Sequence, residues 1–303
     1  MAAAGVAVEV GGRQLSLSNL DKVLWPGEPG FTKGQMIDYY AQVAPVLLPH
    51  FAGRPVTLRR FPNGVTAPSF FEKNCPGHKP DWVATVSMGD VDYCGLDGTA
   101  TLVWMANLAA IELHPTLARE PDLDRPTAMV FDLDPGPPAD VLTCARVALI
   151  LHQSLDRLGL RAWVKTSGSK GLQVYLPLNT DVTYAESKPW SQAMAQVLER
   201  AHGDLVVSTQ DKAARRARVL IDWSQNTASK TTVGAYSLRA RERPTVSTPV
   251  TWDEVDDALG HGQAGRLVFE APDVLARVAR HGDLMAPVLD VRQQLPDLAS
   301  VRA

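Results

Sequence analysis

No apolar run in this 303-residue chain approaches the roughly 20 residues needed to cross a bilayer. The N-terminus, Met1-Ala2-Ala3-Ala4-Gly5, has no basic n-region and no long apolar core, so it does not read as a signal peptide. Cysteine is scarce. The three present (Cys75, Cys94 and Cys144) are odd in number and widely spaced, with no C-x-x-C, which argues against a disulfide framework or a zinc ribbon. Cys75 and His78 would supply half of a metal site, but no second half is visible, and they read as a loop Cys beside a loop His. The G-x-x-x-x-G-K-[ST] spacing of a Walker A loop is absent. There is no internal repeat and no low-complexity tract. What remains is ordinary globular composition, 45% hydrophobic and 21% charged, in a chain long enough for one large domain or two coupled modules. The expectation is a cytoplasmic protein with no membrane partner.

The net charge of -3 hides an uneven distribution. Residues 205–245 hold eight Lys/Arg against three Asp/Glu, a balance of +5, whereas residues 251–303 hold nine Asp/Glu against five Arg, a balance of -4. A basic block in a mildly acidic protein fits a nucleic-acid path, and equally a solvated basic face.

The most informative stretch is Phe131-Asp132-Leu133-Asp134-Pro135-Gly136, at the end of the apolar run 127–131. Side chains alternate across a strand, so Asp132 and Asp134 share a face, and Pro135-Gly136 stops the strand at that rim. Hard divalent cations take oxygen ligands and bridge carboxylates to phosphates, although a lone D-x-D is more often a solvated strand end. Asp222 ends a second strand, 219–223, followed by Gln225 and Asn226, and is the natural third carboxylate. The turn Thr166-Ser167-Gly168-Ser169-Lys170-Gly171 offers backbone N–H groups, the hydroxyls of Ser167 and Ser169, and the charge of Lys170. That set suits triphosphate oxygens, and the same residues would also make a plain hairpin turn.

Elements are expected as a strand at 6–10 and a helix over about 33–48 capped by Thr32. A strand at 54–60 and a turn-rich segment over 62–80 follow, then short strands near 83–87 and 91–93 and a helix over about 101–113. The D-x-D strand then leads to a helix over about 139–158, strands at 161–166 and 172–178, a helix over about 187–201, and the Asp222 strand. This β-α-β-β-α-β order resembles a ferredoxin-like or RNA-recognition-like sheet. The last fifty residues read as helices and loops.

Phe-Asp-Leu-Asp-Pro-Gly, Thr-Ser-Gly-Ser-Lys-Gly-Leu and Ile-Asp-Trp-Ser-Gln-Asn, in this order, resemble the polymerase domain of bacterial ligase D, of the archaeo-eukaryotic primase superfamily. The likeness runs from Leu17-Ser18-Asn19-Leu20-Asp21-Lys22 to about Leu284-Met285. It implies an α+β primase-polymerase fold, an RNA-recognition-like antiparallel sheet module packed with an N-terminal α/β module around a central cleft. One catalytic domain spans 1–303, with an N-terminal module in 1–120, the catalytic sheet in 121–250 and a helical wrap in 251–303. No ligase or nuclease module lies in these residues, so the chain resembles a free-standing member such as the mycobacterial primase-polymerase C type, unless it is cut from a larger protein.

The resemblance implies that Asp132, Asp134 and Asp222 are the catalytic, metal-binding acids, holding two ions, Mn²⁺ or Mg²⁺. His114, Ser167, Ser169, Lys170, Gln173, Arg215, Gln225, Arg239 and Arg241 are expected on the nucleotide. Asn19, Lys22 and Lys33 resemble a pocket for a downstream 5′-phosphate, with Lys33 beside a helix N-terminus whose N–H groups attract phosphate. Phe70-Phe71 resembles an aromatic pair that stacks on template bases, and Arg59 and Arg60 are set against the DNA backbone. One departure is Gln173, where many relatives carry a histidine; glutamine donates a hydrogen bond but carries no charge.

The implied activity is template-dependent addition of ribonucleotides or deoxyribonucleotides to primer 3′ ends at short gaps, by two-metal nucleotidyl transfer. NTPs or dNTPs and gapped or broken DNA with a 5′-phosphate are the partners, at the bacterial nucleoid. The alternatives are end joining with a separate ligase and Ku, a metal-dependent nuclease, and a non-catalytic DNA-binding module.

Overall fold

The computed structural model describes residues 5–302; the segment 1–4 weighed as a leader lies outside them. No helix among the described residues is long and apolar enough to cross a membrane. The chain divides into two units. The first comprises 1–116, 233–247 and 270–282, and the second 117–232, 248–269 and 283–303.

The first unit opens with a hairpin, Val6–Val10 against Arg13–Leu17. Its turn needs positive φ at two successive positions, which Gly11 (φ 56°) and Gly12 (φ 73°) supply. Helix α1 (Lys33–Leu47) starts at a capping box in which Thr32 and Gln35 satisfy each other's backbone amides. Its apolar stripe, Met36, Tyr39, Tyr40, Val43 and Leu47, is buried. The Tyr40 hydroxyl donates to the Ile111 carbonyl at 2.6 Å and accepts from the Leu238 amide at 3.1 Å, which ties segment 233–247 to this unit. The sheet centres on Val56–Arg60, flanked by Phe70–Glu72 and Ala110–Pro115.

Two expectations fail here. The helix expected over 101–113 stops early: α2 is Thr99–Asn107, Ala109 takes a left-handed φ of 59°, and Ala110–Pro115 is a strand. Its residues pair with Val56–Arg60 from Val56↔Pro115 to Arg60↔Ala110, so sheet pairing overrides the helical propensity of an Ala- and Leu-rich run. Cys75 and Cys94 form a disulfide, with Cα atoms 4.7 Å apart, so Cys75 is no metal ligand. The Cys75 amide donates to the Asp92 carbonyl, which brings two sequence-distant cysteines side by side.

The second unit holds the β-α-β-β-α-β arrangement. Its six-stranded sheet runs Val206–Val207, Val219–Asp222, Ala128–Pro135, Leu172–Pro177, Trp163–Thr166, Pro249–Val250. The central four are antiparallel to one another, and Val206–Val207 runs parallel to Val219–Asp222. Helices α3 (Val141–Arg157) and α4 (Tyr184–Ala201) begin at capping boxes, Asp140/Thr143 and Thr183/Glu186. Register separates two chemistries by one residue. Phe131 pairs with Val174 and Leu133 with Leu172 and Ile221, all in the core. The residue between them, Asp132, lies on the opposite face. Asn226, fully buried, accepts from the Val130 amide at 2.9 Å and donates to its carbonyl at 2.8 Å, completing the acid strand beyond the end of its neighbour.

Phe131→Ala is expected to cost about 3–5 kcal/mol and Phe71→Ala, on an exposed ring, less than about 1 kcal/mol. Chemical denaturation of both variants checks this, and comparable losses would contradict the assignment of Phe131 to the core.

Candidate nucleotidyl-transfer site

In the second unit, Asp132 is the direct antiparallel partner of Asp222 on one side and of Gln173 on the other. Gln173 is in turn the partner of Lys165. Directly opposed residues share a face with Cα atoms roughly 4.5–5.5 Å apart. One row therefore reads Asp222, Asp132, Gln173, Lys165 across four strands, with Asp134 two residues along and more exposed.

This crowding has an electrostatic cost. Burial, then the charge of Asp134, with Asp222 adding to them, pushes the Asp132 carboxyl up to about 7; a hydrogen bond from Gln173 and the charge of Lys165 pull it part of the way back. Asp222 is held by donors: Gln210 Nε2 (2.9 Å), Ser224 N (2.9 Å) and Ser224 Oγ (2.6 Å) on Oδ1, and Gln225 Nε2 (3.0 Å) on Oδ2. Arg215 donates to the Gln210 side chain at 2.5 Å and so braces Asp222 at second hand. No three His, Cys, Asp or Glu side chains among the described residues form a ready cage. The donor set still fits a hard cation. Its oxygens are all carboxylate, and burial with the neighbouring carboxylate charges raises Asp132, a cost that bound positive charge would relieve.

The turn after the Trp163–Thr166 strand packs beside the acids. Ser167 Oγ accepts from the amides of Ser169 and Gly171, both at 3.2 Å, so in this state it shapes the turn. Lys170 is exposed. A Cβ on Gly171 would lie 1.9 Å from the Leu133 carbonyl oxygen, and one on Gly136 1.9 Å from that of Arg215. Backbone alone fits at both positions. Ser169 and Lys170 line a cavity of about 240 Å³ with Pro135, Pro137 and Asp140.

Gln173 does not face this turn. It is buried, its Oε1 accepts from Lys165 Nζ at 2.5 Å and its Nε2 donates to Thr232 Oγ1 at 2.8 Å. Sequence reasoning missed Lys165, Gln210, Ser224 and Thr232. Lys165 carries a faint signal, a cation inside a short strand after Trp163-Val164; the others become visible only through register.

The first unit gathers the remaining residues. Asn19 (φ 54°), Lys22, Lys33 and Arg60 line one cavity of about 190 Å³ with Ser18 and Asn107. Lys33 is buried and donates to the Ser18 carbonyl at 2.7 Å; burial, then the charge of Lys22, lowers its ammonium to about 8. The helix start is not an open anion site. The amides of Lys33 and Gly34 donate to the carbonyls of Lys22 and Leu20, and that of Gln35 to Thr32 Oγ1.

Phe70 and Phe71 are exposed at 45% and 59%, which excludes a core role. Arg60 lies over Phe70 at 5.3 Å and is paired with Glu72. Arg59 lies 5.0 Å from the Phe61 centroid and 5.2 Å from that of Phe71. His114, on a strand and not at a helix end, meets Phe71 edge-on at 5.8 Å. Arg239 and Arg241 belong to the returning segment 233–247, with Arg239 ion-paired to Glu112.

The Asp132 shift has a defined sign. A carboxyl raised in the folded state binds a proton that the unfolded chain has already released, so it destabilises the fold as pH climbs from about 4 to about 7. With cations chelated, the melting temperature of wild type relative to Asp132→Asn is expected to fall across that window and level off above it. Parallel curves for the two proteins would contradict the crowding.

The sequence profile described as "LigD, primase-polymerase domain" matches residues 32–285. The "Multifunctional non-homologous end joining DNA repair protein LigD" of Mycobacterium tuberculosis (strain H37Rv) is 41% identical over 296 residues, covering 92% of this chain and 38% of the relative. The "Bifunctional non-homologous end joining protein LigD" of Bacillus subtilis (strain 168) is 32% identical over 270 residues, covering 89% and 43%. The chain thus spans less than half the length of these relatives. A solved "Polymerase Domain from Mycobacterium tuberculosis Ligase D in complex with DNA" superposes with a TM-score of 0.84 at 41% identity, covering 91% of this chain and 98% of that one. The chain therefore belongs to the LigD primase-polymerase family, metal-dependent nucleotidyltransferase domains of the archaeo-eukaryotic primase superfamily with an α+β fold.

Proposed function

We propose that this domain adds ribonucleotides or deoxyribonucleotides to a primer 3′ end opposite a template, at short gaps bearing a downstream 5′-phosphate. The observation that carries the reading is the pairing of Asp132 with Asp222, with Asp134 on the same face and the Ser167–Gly171 turn packed against Leu133. In this reading Asp132, Asp134 and Asp222 hold two ions, Mn²⁺ in preference to Mg²⁺. Bound there, the ions would lower the pKa of the attacking hydroxyl and offset triphosphate charge.

The protein's own groups do the rest. Gln225, Ser224 and the Arg215–Gln210 pair hold Asp222 in place. Lys165 orients Gln173 toward Asp132. Lys170, Ser169 and the turn amides bind the triphosphate, and His114, Arg239 and Arg241 meet the nucleotide. Asn19, Lys22 and Lys33 grip the 5′-phosphate, with Arg59 and Arg60 beside the DNA backbone. Phe70 and Phe71 stack on bases, a contact worth roughly 1–3 kcal/mol each.

End joining at double-strand breaks, with a separate ligase and Ku, is the second reading, and the names of the relatives favour it.

Primer extension on gapped duplexes tests both. Asp222→Ala is expected to slow nucleotide addition by roughly 100-fold or more, the equivalent of about 3 kcal/mol of transition-state stabilisation. Removing the downstream phosphate should weaken DNA binding, and Lys22→Ala with Lys33→Met should abolish that difference. Extension that needs Ku and blunt or overhanging ends selects end joining. Label release without extension selects a nuclease, and wild-type DNA binding with no chemistry selects a binding module.

A further inference from the structure

Apart from the acids and the turn, a buried charge cluster lies in the first unit. Its centre is Glu112, in the Ala110–Pro115 strand and 1% exposed. Two guanidinium groups, an imidazole and a backbone amide converge on this one carboxylate. Oε2 meets His114 Nε2 at 3.0 Å and Arg59 Nη1 at 3.4 Å, while Oε1 meets Arg239 Nε at 3.2 Å and the Ala240 amide at 3.1 Å. Glu112 and Arg59 are direct strand partners, and His114 lies two residues along, so all three share a face.

Burial alone would raise the Glu112 carboxyl, yet the hydrogen bond from His114 and the charges of Arg239 and His114 outweigh it and hold the group well below the carboxylate range. Glu112 is thus ionised at any working pH. Burial lowers His114, Glu112 raises it part of the way back, and Arg239 and Arg59 oppose that, leaving a net lowering. With His114 neutral, two guanidinium groups face one carboxylate, a surplus of one positive charge beside an exposed surface.

The contacts run on to the aromatic platform. Arg59 lies between Phe61 and Phe71, and His114 sits edge-on to Phe71 at 71°. Two of the groups that steady the exposed Phe71 ring are therefore bound to Glu112.

We propose that Glu112 is a positioning residue that sets His114 and Arg239 toward the nucleotide and, through Arg59, holds Phe71 as a base-stacking platform. The chemistry follows from donor and acceptor identity. An ionised carboxylate only accepts, so neutral His114 carries its proton on Nε2 and presents Nδ1 as an acceptor. The fork of Arg59, anchored at one end by Glu112, keeps its flat face under Phe71. The ligand matched by this cluster is an anion with a planar base, a nucleotide. This rests on the proposed function only in identifying that nucleotide as a polymerase substrate.

Glu112→Gln keeps volume and removes charge. Long-range ¹H–¹⁵N correlation, with His114→Asn to assign the signal, should show the Nε2–H tautomer in the wild type at pH 8. In Glu112→Gln it should show a tautomer mixture with a lower His114 pKa. KM for NTP should rise about tenfold or more, as for loss of a charge-assisted hydrogen bond, with kcat changed less. Binding of gapped DNA, read by anisotropy without turnover, should show Glu112→Gln and Phe71→Ala to be non-additive. An unchanged tautomer together with an additive cycle overturns the proposal, whereas a wild type that extends no primer overturns the polymerase reading instead. If Glu112→Gln does not fold, Arg59→Met with Phe71→Ala replaces the cycle and wild-type tautomer data stand alone: additivity or an Nδ1–H tautomer then overturns it.

Discussion

Like charge forced together by strand register is the constraint on which the acid-bearing sheet depends. Asp132 cannot move away from Asp222, because the pairing that opposes them also places Leu133 against Leu172 and Ile221 in the core. A slip of one residue would turn the acids inward and expose the apolar face. Hydrophobic burial therefore maintains a carboxylate arrangement that is unfavourable on its own. The surrounding groups temper it: four donor contacts on Asp222, and Gln173 with the buried Lys165 behind it on the other side of Asp132. A site so arranged favours positive charge among its oxygens, which is the chemical requirement of nucleotidyl transfer.

The first unit solves the opposite problem. There the surplus is positive, and one buried carboxylate, Glu112, organises it. Lys33 is buried too, with Lys22 close enough to lower it further. Cations held in partly desolvated places, with their nearest helix amides already satisfied, suit anionic ligands that bring their own charge. The exposed rings of Phe70 and Phe71, each beside an arginine, add a surface on which bases can stack.

Much of this was legible in the sequence. Alternation in Phe131-Asp132-Leu133-Asp134 gave the shared face of the acids, and the β-α-β-β-α-β order gave the sheet. Thr32 announced α1, and Pro135-Gly136 announced the end of the acid strand. What was not legible depended on pairing between distant segments. Ala110–Pro115 is a strand because Val56–Arg60 lies beside it. Cys75 meets Cys94 because the Asp92 carbonyl takes the Cys75 amide. Gln173 follows the turn in sequence, and its amide contacts Lys165 and Thr232, partners that spacing does not show. The helix N-terminus at Lys33 looked open, and its amides are taken by Leu20, Lys22 and Thr32. Each miss concerns a partner chosen by tertiary register, which local spacing does not encode.

The central claim is that Asp132 stays partly protonated until positive charge joins the acids. Calorimetric titration of Mn²⁺ into the metal-free protein near pH 6.5, repeated in buffers of different ionisation enthalpy, measures this directly. The account predicts saturable binding with release of a fraction of a proton in the wild type, and loss of that release in Asp132→Asn. Saturable binding with no proton release in the wild type, or no binding at millimolar Mn²⁺, would contradict it.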